Sequence, residues 1–124
     1  MCDTNIFIHY FNKDEKTAKD LDEIGIDNII IPAVSVMELY RGMSNKQQLQ
    51  EMVKKIKRYA VLDMNENVSA LALEYIKNYR LSHDMKIPDA FIAASSVTFD
   101  LPLFTYNTKD FRFIPGIKLH KSKQ

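Results

Sequence analysis

Four carboxylates stand out by the stretches that carry them: Asp3 in "CDTNIFI", Glu38 in "VSVMELYRG", Asp89 in "IPDAFIAASS" and Asp110 in "LFTYNTKDF". If the fold gathers them in one cleft, they cannot all stay ionised without a counter-charge, because like charges at close range raise each other's pKa. A hard divalent cation is the usual remedy. Oxygen donors without a Cys or His set favour Mg2+ or Mn2+ over zinc. Such a centre serves phosphoryl chemistry. It polarises a phosphodiester, draws hydroxide from water and, with two ions about 3.5–4 Å apart, steadies both the entering and the leaving oxygen. The elements that carry these acids decide whether they meet.

The helical patterns are clearer than the strands. A minimal strand at residues 1–3 leads into an apolar helix over 6–11. A second helix over 16–24 stops at Gly25. Residues 28–31 ("NIII") form a short continuous β-branched run, the mark of a strand buried on both faces. Ser35-Val36-Met37-Glu38 fits the S-x-x-E capping box and is expected to open a helix that ends near Gly42. A charged amphipathic helix over 46–59 and a strand over 60–62 follow. Asp63 or Asn65 then caps a helix running to about His83, and Pro88 starts another running to about Phe99. Residues 103–106 and 117–120 are the last expected strands.

Strands alternating with helices predict an α/β fold, a three-layer α/β/α arrangement with a mainly parallel central sheet, as a single domain over 1–124. In such a sheet ligands gather at the carboxyl ends of the strands. Asp3 closes the first strand, and Glu38 falls in the first turn of the helix after the second. Asp89 falls in the first turn of the helix that returns to the fourth strand, and Asp110 follows that strand by a few residues. All four map to one rim.

Bulk properties narrow the setting. At 124 residues the chain can bury roughly two-thirds of its unfolded surface in one core. A composition 46% hydrophobic and 27% charged, with 3 Gly and 4 Pro, excludes disordered and fibrous classes. The net charge of +1 sets up no global field for nucleic acid, so any such site needs a local patch. Cys2 is the one cysteine, which excludes an internal disulfide and suits a reducing compartment. With no membrane-length apolar run and no signal-peptide pattern, the chain reads as cytoplasmic and free of the membrane.

Taken in order, "CDTNIFI", "VSVMELYRG", "IPDAFIAASS" and "LFTYNTKDF" resemble the four motifs of PIN-domain ribonucleases of the VapC toxin type, over residues 2–119. The resemblance implies a PIN-like parallel-sheet fold and an endoribonuclease dependent on Mg2+ or Mn2+. It also implies a cognate antitoxin of the VapB kind and a homodimer. Position by position, Asp3, Glu38 and Asp89 match the family's three best-defined acids, and Asp110 the more variable fourth. Asn107 is its neighbour in the T-x-N-x-x-D-F pattern. Thr4 and Asn5 would position Asp3 by hydrogen bonds, and Thr105 would contact a water on the metal. Arg41, Lys109 and Arg112 are candidate contacts to RNA phosphates. The first strand is shorter than is usual in the family. The helices around 46–58 or 65–82 are candidates for the dimer contact.

Each acid also has a plain structural reading. Asp3, Thr4 and Asn5 are all N-cap types, Glu38 is the natural partner of Ser35 in a capping box, Asp89 opens a helix, and Asp110 suits a turn. Capping and ligation are compatible. Arg41 sits one turn after Glu38 and can reach a phosphate or pair with Glu38. His9, His83 and His120 fit no triad or zinc spacing and read as surface or core residues. Lys54, Lys55, Lys57 and Arg58 read as a solvated face; Lys118, Lys121 and Lys123 read as a solvated tail. Cys2 reads as a small buried hydrophobe.

Other classes fit less of the chain. A receiver-type phosphoacceptor would use Asp63, Thr105 and Lys118, yet it wants two acids at the first strand and leaves Glu38 and Asp89 without purpose. A D-x-D phosphatase fails because Asn5 stands at the second acid. A catalytically silent PIN-like module that binds RNA or protein is opposed by the complete acidic set.

Overall fold

The computed structural model describes residues 1–121; Lys123 of the basic tail lies outside them. Two regular strands, β1 (Ile30–Pro32) and β2 (Ala60–Leu62), pair in parallel, with Ile30 opposite Ala60 and Pro32 opposite Leu62. Extended single residues continue this sheet. The Cys2 N–H donates to the Ile30 carbonyl at 3.0 Å, Cys2 forms a parallel bridge with Phe104, and Leu103 forms another with Leu119. The first segment of the chain therefore lies in the middle of the sheet, as in doubly wound folds.

Alternation along these segments shows the layers directly. Met1 and Leu103 belong to one apolar cluster; their neighbours Cys2 and Phe104 belong to the other. Successive side chains of an extended chain point to opposite faces, so each cluster is the filling on one side of the sheet. On one side lie α1 (Thr4–Phe11), α2 (Glu15–Ile24) and α4 (Lys46–Ile56), packed through Phe7, Leu21, Met52 and Ile56. On the other lie α5 (Glu66–His83) and α6 (Ile87–Thr98), packed through Val68, Ala72, Ile92 and Ala93. The remaining helix, α3 (Ala33–Arg41), reaches both, with Val34 in one cluster and Leu39 in the other. This is the expected three-layer α/β/α architecture.

The expected strands are present but shorter. Residues 1–3, 103–106 and 117–120 contribute single bridges, because α1 starts at Thr4, Pro102 has no N–H to give, and Pro115-Gly116 turns the chain just before the last segment. The strand expected over 28–31 begins at Ile30, since Ile26–Asn28 form a 3-10 turn after Gly25 at φ 86°. Asn65, not Asp63, caps α5, its side chain accepting from the Val68 N–H at 2.9 Å. The helix expected over 46–59 ends at Ile56.

One expectation is overturned. Ser35 does not cap α3, and no capping box forms. Pro32 ends β1 at φ −68°, ψ 146°, and the helix begins at the next residue with no side-chain cap. Without a loop between strand and helix, Ser35 becomes the third helical residue and Glu38 the sixth. Glu38 is thus in the second turn, not the first, and it is free of a capping role.

The chain beyond the fourth extended segment is pinned from inside. Phe111 is fully buried, directly after the 3-10 turn Thr108–Asp110. Replacing a buried Phe by Ala removes its transfer energy and leaves a cavity, at a cost of about 3–5 kcal/mol. Phe111→Ala should lower the unfolding free energy by that amount in denaturant titration. A loss under about 1 kcal/mol would show that this turn is not anchored through Phe111.

Candidate functional site

Asp3 is the N-cap of α1, with extended backbone angles of φ −68° and ψ 158°. One carboxylate oxygen accepts the Thr4 N–H at 2.7 Å, and the other accepts the Thr105 hydroxyl at 2.8 Å. The Thr105 Oγ1 in turn accepts the Asn107 N–H at 3.0 Å. The residue is 5% exposed. Burial pushes the Asp3 carboxyl above its ordinary range, the bonds from Thr105 and Thr4 pull it down, and the charges of Glu38 and Asp110 push it up again.

Glu38 is exposed on α3, far from Asp3 in sequence but joined to the residue after it, Thr4. Its Oε1 lies 2.7 Å from the Thr4 Oγ1, which also lies 2.8 Å from the Ser35 Oγ. One hydroxyl proton serves one acceptor at a time, and the carboxylate is the stronger acceptor. Thr4 thus holds Asp3 through its backbone N–H, the hydrogen bond expected of it, and Glu38 through its side chain. The Asn5 Oδ1 is buried without a hydrogen-bond partner among the described residues.

Asp89 is the third residue of α6, directly after Pro88, and is half-buried. Its pKa rises from the ordinary 3.8 to about 7. Burial is the largest cause, followed by the charges of Asp3, Asp110 and Glu38, with Lys86 acting in the opposite direction. Asp110 ends the 3-10 turn, its N–H donating to the Asn107 carbonyl at 3.0 Å. The four carboxyl groups expected on one rim therefore do act on one another.

Their spacing is open: among the described residues no three His, Cys, Asp or Glu side chains form a group that holds a metal ion by itself. Arg41 ends α3, exposed, with no ion pair to Glu38 among the described residues. Lys109 and Arg112 flank Asp110 and are exposed. Lys118 pairs with Asp100 at 2.8 Å and Thr105 is bonded to Asp3, so two of the three residues of a receiver-type site are engaged elsewhere.

Three neighbours, Ser35, His83 and Lys86, were not singled out by residue type as part of the site. Ser35 is fully buried beside Thr4. His83 and Lys86 share with Asp89 and Asp110 a cavity of about 130 Å3. The spacing from His83 to Asp89 crosses a helix boundary, so no helical periodicity could have linked them. A larger cavity of about 250 Å3 lies between α1, α3 and α4, lined mainly by Ile8, Phe11, Leu39, Met43 and Met52, with Glu38 at its edge.

The crowding of charge has a sign that can be tested without any substrate. In the unfolded chain Asp89 ionises near 3.8, and in the fold near 7. Between those values the folded state holds a proton that the unfolded state has lost, so stability falls as pH rises through this window and stays low above it. The start of α6 favours a negative charge by only about 0.3–1 kcal/mol. Each tenfold change in proton affinity is about 1.4 kcal/mol, and solvent screening at this half-buried position reduces the effect without reversing it. In metal-free buffer Asp89→Asn should raise Tm at pH 8 by several degrees and leave it unchanged below pH 4. Calorimetry showing a lower Tm for the variant at pH 8 would mean that Asp89 serves the fold as a helix opener.

A toxin–antitoxin complex from Klebsiella pneumoniae is similar at 27% identity and a TM-score of 0.76, covering 94% of this chain and 92% of that one. VapBC2 from Rickettsia felis, solved bound to a DNA fragment from its promoter, is similar at 23% identity and a TM-score of 0.80, covering 97% and 96%. FitAcB from Neisseria gonorrhoeae shares the fold at 20% identity and a TM-score of 0.76, covering 96% and 95%. No curated protein sequence matches. The PIN domain model matches residues 1–116, a span that takes in all four carboxylates, and the chain belongs to the PIN-domain family.

Proposed function

We propose that this PIN domain is an endoribonuclease of the VapC toxin type, which hydrolyses RNA phosphodiester bonds with Mg2+ or Mn2+ held by Asp3, Glu38, Asp89 and Asp110. The observation that carries the reading is the crowded negative charge on the rim, where burial and three acidic neighbours outweigh Lys86 and raise the Asp89 carboxyl to about 7. A cation there relieves what the protein's own groups do not.

The donor set fits such an ion. It is all carboxylate oxygen, and the buried Asn5 Oδ1 adds an unpartnered oxygen two residues from Asp3. Mg2+ keeps several waters and takes one or two carboxylates together with substrate phosphates. A rim too open to surround an ion by itself therefore suits an ion whose shell is completed by water and RNA. When bound, the ion supplies Lewis-acid polarisation of the phosphodiester and activation of the attacking water.

The chain's residues do the positioning. The Thr4 N–H and the Thr105 hydroxyl fix both oxygens of Asp3, so this carboxylate keeps one orientation. The Thr4 hydroxyl holds Glu38, and Asn107 holds Thr105 through its N–H. Arg41, Lys109 and Arg112, exposed around the rim, draw the RNA backbone toward it. Because this attraction is electrostatic, binding weakens as salt is raised.

Partners belong to the same reading. Similar folds have been solved as toxin–antitoxin, VapBC and FitAB complexes, which supports a VapB-like cognate antitoxin for this chain. A homodimer through α4 or α5 is part of it; Leu73 and Leu81 on α5 are 72% and 98% exposed. No helix among the described residues is long and apolar enough to cross a membrane, and the reading places the protein in the cytoplasm.

Purified protein should cleave a structured RNA pool with Mn2+ or Mg2+ and fail to do so with EDTA. Asp3→Asn and Asp89→Asn should each lower the rate by at least about 100-fold, the scale of losing one group that stabilises developing charge. Equal cleavage by wild type and Asp89→Asn would remove Asp89 from the site. Silence of all proteins with every metal, across a range of RNAs, would favour a PIN fold that binds without cutting.

A further inference from the structure

His83 closes α5, and its ring is held on three sides. It stacks on Phe113 with ring centroids 3.9 Å apart and planes 17° from parallel. It meets the Tyr79 ring edge-on at 5.7 Å, and its Nδ1 lies 2.7 Å from the Ser82 hydroxyl. The Nε2 has no partner among the described residues. Fixing an exposed side chain in this way costs rotamer freedom, which the contacts with Phe113 and Tyr79, both packed on the core, offset.

The turn that follows sets where this ring stands. Asp84 takes a left-handed conformation at φ 50°, ψ 43°, which an aspartate tolerates, and it pairs with both Arg80 and Lys86. Met85 is buried and pins the turn, and Lys86 is the N-cap of α6, three residues before Asp89. The product is the cavity of about 130 Å3 lined by His83, Asp84, Met85, Lys86, Asp89 and Asp110.

Size and chemistry both narrow the occupant. Whole small-molecule sites run from about 300 Å3 upward, and one water takes about 30 Å3. This cavity has room for a phosphate group and is small for a nucleoside. Its donors to an anion are Lys86 and the histidine. When the Ser82 hydroxyl gives its proton to Nδ1, the ring N–H is on Nε2, the nitrogen without a partner, and it can donate without carrying charge. The charges facing it are Asp84, already paired with Arg80 and Lys86, and the rim acids Asp89 and Asp110.

Resting on the ribonuclease reading above, we propose that this cavity is the subsite for an RNA phosphate adjoining the bond that is cut, held by the His83 Nε2–H and the Lys86 ammonium. Phe113 is then the platform that keeps the imidazole in register with the acidic rim. His83 is a substrate-binding residue here and takes no part in the chemical step.

Steady-state cleavage of a short single-stranded RNA tests this. His83→Ala and Lys86→Gln should each raise KM about three- to tenfold, the loss of one exposed hydrogen bond to a charged group, with kcat within about twofold. His83→Gln, whose amide N–H stands near the Nε2 position, should recover most of the loss, which a merely structural histidine would not show. His9→Gln and Lys77→Gln are the controls and should match wild type. Unchanged KM in an active His83→Ala overturns the subsite and leaves the nuclease reading intact. If wild type cuts no RNA, the nuclease reading fails, and the subsite is decided by the proton NMR signals of the three histidine rings as a 2′-O-methyl RNA is added with Ca2+. Movement of the His83 signal alone supports the subsite; no movement, or equal movement of His9, His83 and His120, overturns it.

Discussion

Mutual repulsion among carboxylates at one rim of the sheet is the constraint that the rest of this structure accommodates. Asp3 is 5% exposed, with Glu38 and Asp110 near enough to raise its proton affinity, and Asp89 feels all three. A fold that places such groups together holds them against their own charge. It does so here with neutral donors: a backbone N–H and a threonine hydroxyl on Asp3, and a second threonine hydroxyl on Glu38. Neutral donors fix the carboxylates in place without cancelling the negative field, which a lysine or arginine in the same positions would do. Only Lys86 acts against this field at Asp89, and burial with three acidic neighbours outweighs it.

That arrangement depends on where helices begin. Asp3 is at once the end of the central extended segment and the N-cap of α1, so no loop intervenes to blur its position. Pro32 makes the same direct passage from β1 to α3. Each helix that starts at the rim also presents free N–H groups and the positive end of its dipole to the acids. On the opposite face, α6 carries Ala90, Ala93, Ala94, Ser95 and Ser96, all buried. Small side chains let this helix pack closely against α5 and α3, with Asp89 in its first turn. Phe111 does the corresponding work for Asp110 from inside the core.

Much of this was legible from residue types because the signals were local. Gly25 ends α2 at a positive φ, Asn65 caps α5, and Pro88 sits in the first turn of α6, each where short-range rules put it. The parallel sheet was legible from alternation of elements, and the shared rim followed from topology. What failed was local in form but tertiary in cause. Ser35 and Glu38 have the spacing of a capping box, yet Pro32 moves the helix start upstream, and the two side chains turn instead to Thr4. The strand lengths failed likewise, since apolar runs say nothing of how few backbone bonds a buried segment needs when helices cover both its faces.

His83 shows the same limit from the other side. Read by spacing, it is one of three scattered histidines. In space, the left-handed Asp84 ends α5 and the buried Met85 anchors the reversal into α6, so that His83 and Lys86 come to share a wall with Asp89 and Asp110. The stacking of His83 on Phe113 links two segments thirty positions apart, and the second of these follows Asp110 by three residues. One aromatic contact thus ties the α5–α6 turn to the loop that carries the fourth acid. Loosening it would disturb both the cavity and the rim, which is why the residues around this turn are understood better as part of the acidic site than as a solvated edge of the fold.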